Sequence, residues 1–453
     1  MQHHSSFLRV PSVAALFLAS FCLPPQAYGL PSFARQTGQR CSACHVGGSW
    51  PQLTPWGRFF KLSGYTAGKN LWDKEGINYV PLGAFGQAGL TWAAQPNDTQ
   101  GQSVIAHNGS PEPYQVTGEV GTKLTSFLGV FYEYQIGNTF PGWKGTSGPA
   151  DVRAVHFFHL HGNEILVGID SNNSPTVQDV WNTVPDWSFP FYSSPQTPSA
   201  PASPMIASLG AQSASIGAYA LVNRQIYVEA SFYRAATGFF RWMSAGTSFQ
   251  GGGANYLDGY NPYWRAYWTK AHGPHNVMVG TLGMQAHVFP DSSNPSGPAD
   301  VFTDSGFDSQ YQYLGNTNKV TLRGSYIYER RAWDGSFPLG ISSTPQGNLK
   351  SLNLSGSYAF DNAWVFHSGY FQTNGNSDSA LYAITDPSGN QVTASPKATG
   401  YTIEVDRQIT QNVQLMAQYR GFVQFNGLRR NIDGIGRNAS DNNTLWLSVF
   451  FAF

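Results

Sequence analysis

The stretch that decides the fold is Leu445-Trp446-Leu447-Ser448-Val449-Phe450-Phe451-Ala452-Phe453, at the end of the chain. It reads as an alternating β-strand that finishes on a phenylalanine. Successive side chains of a strand point to opposite faces, so an alternating sequence predicts a strand with two unlike faces. The same period of two recurs upstream, from about residue 78 onward.

Three internal segments show this alternation. Polar residues line one face of each segment and apolar residues the other, over 413–420, 320–329 and 351–358. In a soluble sandwich, the apolar faces of such strands pack against each other. In an outer-membrane barrel they face lipid, and the polar faces line a lumen.

Strand length, aromatic placement and turn spacing favour the barrel. The strands run to roughly ten residues, Tyr and Trp sit near strand ends, and the last strand with Phe453 resembles the assembly signal of bacterial outer-membrane barrels. Tight turns are predicted near Gly121-Thr122, Gly162-Asn163, Asn223-Arg224, Gly273-Pro274, Asn316-Thr317, Asp361-Asn362 and Thr410-Gln411. Long connections, such as 171–212, 236–261 and 374–397, alternate with them. We therefore predict an all-β fold, an antiparallel barrel of about sixteen strands over residues 76–453, with both ends periplasmic and room for an aqueous channel.

Composition agrees with this fold class. The 453 residues include 49 Gly and 28 Pro, and 15% are aromatic but only 11% charged, which suits strands joined by irregular loops. Beyond the start of the chain there is no apolar run of about twenty residues, which excludes a helical membrane protein. A formal net charge of +0 gives no reason to expect a nucleic-acid partner.

Residues 1–29 read as a secretory signal peptide. Arg9 supplies the positive start, residues 13–23 the apolar core, and Ala27-Tyr28-Gly29 the cleavage site. Cys22 lies inside this segment and is expected to leave with it. The mature chain then keeps two cysteines.

Those two cysteines form the motif Cys41-Ser42-Ala43-Cys44-His45. Two cysteines three positions apart, followed at once by histidine, are the signature for covalent attachment of one c-type haem, with His45 as an iron ligand. The alternatives are a chance match, a redox pair or a zinc site. A zinc site would need two further ligands.

The residues around this motif predict a small, mainly α/coil haem module over 30–75. A helix is expected within 53–65, capped by Thr54, with Pro55 in its first turn and Gly64 closing it. Arg35 and Arg58 are candidate partners of the haem propionates, or else solvated surface arginines. Some forty residues can scarcely bury a haem unaided, so the module is expected to dock on the barrel.

The sequence does not identify the second axial ligand of the haem iron. Candidates are His107, His156, His159, His161, His272, His275, His287, His367, Met205, Met243, Met278, Met284 and Met416, and a five-coordinate or water-ligated iron is the alternative. Arg265, Arg323, Glu404, Asp406 and Arg420 are expected to face the lumen. Asp179 and Asp186, in a long loop, are candidates for contact with ferrous iron, or solvated loop acids.

Further segments give the chain a family resemblance. They are residues 31–38 before the motif, 57–65 after it, 172–182 and the terminal strand from Asp441. With them the chain resembles the fused outer-membrane cytochrome-porins of iron-oxidising bacteria along most of its length. The resemblance implies an outer-membrane oxidoreductase with one haem c, which takes electrons from extracellular ferrous iron, or another donor, to a periplasmic cytochrome or cupredoxin.

Three functional classes therefore stay open: an outer-membrane electron conduit, a diffusion porin whose haem segment is a plug or structural device, and a periplasmic cytochrome with a soluble β domain. The terminal strand and the alternation of turns weigh against the last.

We predict that replacing Cys44 and His45 together by alanine abolishes normal haem attachment, because the mature chain has no other thiol pair. The measurement is haem staining of the denatured protein, with the Soret band of the folded protein beside it. Covalent haem with an unchanged Soret band in the double variant would contradict the prediction.

Overall fold

The computed structural model describes residues 31–48, 52–97, 103, 105, 107–139, 142–184, 193–210, 212–244 and 255–453. The predicted signal peptide and Cys22 lie outside these residues, as does Asp186. Among the helices within them, none has the length and apolar composition needed to cross a bilayer.

Sixteen antiparallel strands form one closed barrel. In chain order they are β1 (Leu82–Ala93), β2 (Glu112–Lys123), β3 (Leu128–Thr139), β4 (Gly142–Leu160), β5 (Asn163–Asn172), β6 (Ser213–Val222), β7 (Ile226–Ala235), β8 (Asn261–His272), β9 (His275–Phe289), β10 (Asp300–Leu314), β11 (Asn318–Ala332), β12 (Gln346–Phe360), β13 (Trp364–Gly375), β14 (Ala398–Thr410), β15 (Val413–Gln424) and β16 (Thr444–Ala452). Each pairs with the next, and β16 pairs with β1 from Thr444↔Ala93 to Ala452↔Phe85. The predicted fold class is confirmed.

The alternation of the sequence becomes an outer and an inner face. In β16, Leu445 and Leu447 are 41% and 38% exposed, whereas Trp446 between them is 1% exposed. Large apolar side chains are exposed around the barrel, among them Ile169, Val228, Val279, Phe307, Leu354 and Ile403. This outward apolar surface is the one that lipid covers in an outer-membrane barrel.

The inward positions are mostly polar, as predicted. Gln414 and Gln418 on β15, Thr321 on β11, and Ser351 and Ser357 on β12 are all buried. A polar inner face on a closed barrel leaves a lumen that water or protein must fill.

The turns follow the predicted alternation with one correction. Six of the seven predicted tight turns lie at or beside a strand junction. The turn predicted near Gly121-Thr122 is displaced along the chain, because both residues belong to β2, where they pair with Phe131 and Val130. The turn comes later, closed by Leu124 N–H donating to Leu128 C=O at 2.8 Å. A Gly-Thr pair does not end a strand when the ladder beside it continues.

The chain ahead of β1 is a small helical module. It contains α1 (Ser32–Thr37), α2 (Cys41–Cys44), a 3₁₀ turn (Val46–Gly48), α3 (Pro55–Leu62) and a hairpin pairing Trp72–Asp73 with Gly76–Ile77. Thr54 caps α3 as predicted, with its side chain accepting from Gly57 N–H at 3.1 Å. The predicted domain boundary at 75 falls in the hairpin, ahead of the first barrel strand.

This module lies in the lumen, at the end of the barrel that carries the short turns. Phe33 packs on Phe131 of β3 with 5.9 Å between ring centroids, and Tyr65 Oη donates to Asp151 of β4 at 2.6 Å. On another part of the wall, Ser357 Oγ of β12 donates to Gln52 Oε1 at 2.9 Å. The module thus contacts well-separated strands.

A long loop after β5 also folds inward. We call residues 173–184 the septum loop; it contains the short helix α4 (Pro175–Gln178). Trp181 of this loop lies under the Arg58 guanidinium, 3.7 Å from the ring centroid, and Lys61 Nζ donates to Val177 C=O. The loop therefore covers the side of the module that faces the long loops.

We predict that deleting Phe453 impairs barrel assembly. Phe453 N–H donates to Ala84 C=O at 2.7 Å and Ala84 N–H donates to Phe453 C=O at 2.9 Å, across the seam between the last and first strands. The deletion removes both bonds, each contributing about 1 kcal/mol. We expect less heat-modifiable protein in the membrane fraction, with Phe453→Leu, which keeps the backbone bonds, as the control. A wild-type yield from the deletion would show that the seam does not need this residue.

Candidate functional site

The motif from Cys41 to His45 is one turn of helix whose C-terminal end is held by hydrogen bonds. His45 N–H donates to Cys41 C=O at 2.8 Å and Thr54 N–H donates to Cys44 C=O at 2.9 Å. Thr54 Oγ1 donates to Ala43 C=O at 2.6 Å, and His45 pairs with Leu53 as an isolated bridge. Because of the single turn, both cysteines lie close in space with the histidine directly after them.

Helix α3 approaches this turn at Gly57. A β-carbon there would lie 2.3 Å from the Cys44 carbonyl oxygen, which is backbone and cannot move aside. Glycine is therefore required for α3 to pack against the motif.

The motif opens on a large cavity, which we call the motif cavity. It has a volume of about 250 Å³. Cys41, Cys44 and His45 line it, and its aromatic walls are Phe33, Phe60, Tyr65, Phe85, Phe131 and Phe450. Those rings come from the module and from β1, β3 and β16, so module and barrel build the cavity together. Val177 and Asn182 of the septum loop also line the cavity.

Burial keeps the groups of the motif uncharged. It lowers the pKa of His45 to about 4, so the imidazole is neutral above that pH and can offer a ring nitrogen to a metal. It raises the pKa of Cys44 to about 11 and shifts that of Cys41 in the same direction. No disulfide joins the two cysteines.

These residues fit a covalently held haem. Two thiols on one helical turn, an adjacent neutral imidazole and apolar rings around an open space are the groups that such a cofactor needs.

The two arginines singled out from the sequence do not line the cavity. The Arg35 guanidinium donates to the carbonyl oxygens of Val80 and Leu82. Arg58 is buried and donates to Asn276 Oδ1 at 2.7 Å and to Gln312 Oε1 at 3.1 Å. Both tie the module to the barrel, and neither position supports a propionate partner.

The cations that line the motif cavity are Arg40 and Lys61, which the sequence reasoning missed. Burial lowers the pKa of Lys61 to about 8, against the opposite effect of Asp151, whose carboxylate lies 3.9 Å from Nζ. Arg40 directly precedes the motif on the chain, which was an available signal, whereas Lys61 lies sixteen residues after His45.

A second axial ligand does not emerge from the predicted candidates. None of the eight histidines and five methionines named from the sequence lines the motif cavity. His156 and His159 are exposed on β4, and His367 faces the lumen from β13.

The predicted lumenal charges do face inward, and some are paired. Arg265 Nη2 lies 2.7 Å from Asp308 and 3.6 Å from Asp179. Asp179 is buried and accepts from Trp181 N–H at 3.0 Å and Thr183 N–H at 2.5 Å. Asp179 shapes the septum loop and lines the motif cavity rather than an exposed loop surface, and its contact with ferrous iron stays a prediction.

A second cavity, which we call the vestibule, lies on the other side of the septum loop. Its volume is about 160 Å³, and its lining includes Trp181 and Asn182 of the septum loop with Asp308, Arg323, Thr402 and Arg420 of the wall. Asn182 lines both cavities, so the septum loop is the partition between them.

No family model and no curated protein matches this chain. Among solved structures, it is similar to OmpF of Salmonella typhi in complex with daunomycin (12% identity, 82% of this chain and 97% of that chain, TM-score 0.48). It is also similar to the outer-membrane channel DcaP of Acinetobacter baumannii (12%, 82% and 96%, TM-score 0.45) and to the anion-selective porin from Comamonas acidovorans (10%, 82% and 98%, TM-score 0.43).

We predict that Gly57→Ala lowers the yield of covalent haem. The added methyl group meets the Cys44 carbonyl and separates α3 from the motif, an overpacking cost of about 1–3 kcal/mol. Haem per barrel, by pyridine haemochrome assay, is the measurement. Gly118→Ala is the matched control, since a β-carbon there meets no atom within 4 Å. Equal haem content in both variants would contradict the tight packing.

Proposed function

We propose that this protein is an outer-membrane electron conduit that accepts electrons from extracellular ferrous iron, or another external reductant, through one c-type haem. A periplasmic cytochrome or cupredoxin is the proposed acceptor. The observation that carries the proposal is the position of Cys41, Cys44 and His45: they line a cavity enclosed by the barrel itself. A redox group held there lies inside a wall that otherwise separates two compartments.

Cys41 and Cys44 would hold the haem and His45 would ligate its iron. Each thiol adds across one vinyl double bond: the S–H bond breaks, a C–S bond forms, and the hydrogen goes to the other vinyl carbon. When bound, the haem supplies a one-electron carrier, so one electron leaves Fe²⁺, which becomes Fe³⁺, and one reaches the acceptor.

The chain's own residues position this chemistry and exclude water. The rings of Phe33, Phe60 and Phe131 keep the interior of the motif cavity apolar, which disfavours the more highly charged state of a bound iron centre. Arg40 and Lys61 offer positive charge to carboxylates on the group.

One edge of the cavity is directed to the short-turn end. Cys41 Sγ lies 3.9 Å from the carbonyl oxygen of Gln411, which belongs to a short turn, and Gln39 and Arg40 are exposed beside it. A soluble acceptor can approach the motif there. On the opposite side, the septum loop and vestibule lie between the motif and the long loops.

The alternative is a diffusion porin in which the module is a plug. The closed sixteen-stranded barrel with a polar inner face favours it, since this architecture encloses aqueous channels. Against free diffusion stand the module's contacts with separate parts of the wall, through Tyr65 to Asp151 and through Arg58 to Gln312. Transport of solutes is therefore proposed as the secondary function.

We predict electron transfer across liposomes that carry the purified protein. With ferrous iron outside and a membrane-impermeant oxidant inside, the haem is expected to be reduced first and the internal oxidant afterwards. A Cys41→Ser, Cys44→Ser protein is expected to give no transfer, because it cannot hold the cofactor covalently. Absorption spectroscopy of haem and oxidant is the measurement.

Vesicle leakage separates the two functions. Entrapped small sugars should stay inside vesicles of wild-type protein. If sugars leak freely and ferrous iron never changes the haem spectrum, the porin function stands and the conduit is wrong.

A further inference from the structure

His367 of β13 and Glu404 and Asp406 of β14 form a buried cluster on the lumenal wall. Glu404 is directly opposite His367 in the ladder, and Asp406 follows two residues later on the same face. The exposed fractions are 3% for His367, 0% for Glu404 and 1% for Asp406. Three potential metal ligands therefore converge where bulk water does not reach.

The ligand atoms are close enough to share one cation. His367 Nε2 lies 3.1 Å from Asp406 Oδ2 and 4.0 Å from Glu404 Oε1. A metal about 2.0–2.2 Å from each atom requires such separations to be no more than roughly 4 Å. One imidazole and two carboxylates suit a divalent transition-metal ion of the ferrous class better than Ca²⁺ or Mg²⁺, which take oxygen ligands.

Some buried polar atoms of this cluster make no hydrogen bond within the described part of the chain. Glu404 Oε1 and His367 Nδ1 are buried and have no hydrogen-bond partner among the described residues. Gln418 Nε2 donates to the other oxygen, Glu404 Oε2, at 2.5 Å and so orients the carboxylate with Oε1 toward the histidine. Within the described part of the chain, the basic side chain beside Glu404 is His367, at 4.0 Å, and no lysine or arginine forms an ion pair with this carboxylate. A buried carboxylate without a cationic side chain is costly unless another cation compensates it.

The cluster lies between the two cavities. Gly369 and Thr402 are the next inward-facing positions toward the long loops, and both line the vestibule. They lie two residues along the strands from His367 and Glu404, which corresponds to roughly 7 Å. Toward the module, Ser357 pairs with His367 in the ladder and is bonded to Gln52, whose neighbour Leu53 lines the motif cavity. An ion that enters through the vestibule would reach the cluster before the motif.

We propose that His367, Glu404 and Asp406 bind one divalent transition-metal ion in the lumen. Identification of that ion as the ferrous electron donor rests on the proposed function; the binding itself does not.

The test is equilibrium dialysis of untagged, full-length, haem-loaded protein against Co²⁺, with cobalt and iron counted by elemental analysis. Wild-type protein is expected to hold one cobalt per chain. Glu404→Gln and His367→Gln are each expected to bind cobalt at least about tenfold more weakly. Loss of a residue that only supports a metal ligand already lowers metal affinity by about 10–100-fold, so loss of a ligand should cost no less.

Glu229→Gln is the matched control. Glu229 is a buried lumenal carboxylate on β7 that accepts from Tyr227 Oη at 2.9 Å and Ser231 Oγ at 2.7 Å, and no histidine of the described residues pairs with it. The Glu229→Gln protein should bind cobalt as the wild-type protein does. Wild-type protein without a bound cobalt, or heat-modifiable cluster variants that bind it equally well, would overturn the proposal.

A measurement on wild-type protein keeps the proposal testable if both cluster variants fail to assemble. The cobalt X-ray absorption spectrum is expected to show an imidazole among oxygen ligands, and a spectrum with oxygen ligands alone would reject the site. Ferrous reduction of the haem separates the two proposals. Cobalt binding without haem reduction would defeat the conduit and leave the metal site, whereas reduction without cobalt binding would defeat the site alone.

Discussion

The structure depends on one constraint: inside lipid, every backbone N–H and C=O must find a partner within the protein. A barrel meets it by pairing its last strand with its first, and here β16 and β1 close the ladder over residues 444–452 and 85–93. Closure forces every strand to present one face to lipid and one to the lumen. The outer face can be apolar throughout, so the specific polar contacts of the molecule are concentrated inside.

An enclosed polar face creates a second demand, because buried polar groups need partners. The module and the septum loop supply them. Arg58 reaches Asn276 and Gln312 on the wall, and Tyr65 reaches Asp151. The module is thus held by polar side chains of the inner face of the barrel, which would otherwise hydrogen-bond to water. The inner face becomes apolar where an apolar cavity borders it, at Phe85 and Phe450.

The lumen is organised along its depth by these contacts. The motif cavity lies at the short-turn end, the septum loop partitions it from the vestibule, and the wall beside the partition carries the buried cluster of His367, Glu404 and Asp406. A module of this size offers only one side of a pocket, and the barrel provides the other. Positions far apart in the chain therefore act as one site, although neither segment alone could enclose it.

The sequence by itself determined what depends on near neighbours. Period-two alternation predicted the strands and their faces, turn residues predicted six of seven short turns, Thr54 and Pro55 predicted the start of α3, and Cys41, Cys44 and His45 form their motif within one helical turn. Each of these follows from the geometry of a few consecutive residues.

Only the tertiary structure decided which distant residues meet. It turned Arg58 toward the wall rather than the cavity, placed Lys61 in the cavity, and tied Asp179 into the septum loop. It also set His367 opposite Glu404, a pairing that depends on strand register. The alternation of the sequence excludes a slip of one residue, which would turn one of the two side chains toward lipid, but it does not distinguish registers that differ by two residues. The closed ladder does, because all sixteen strands must pair at once.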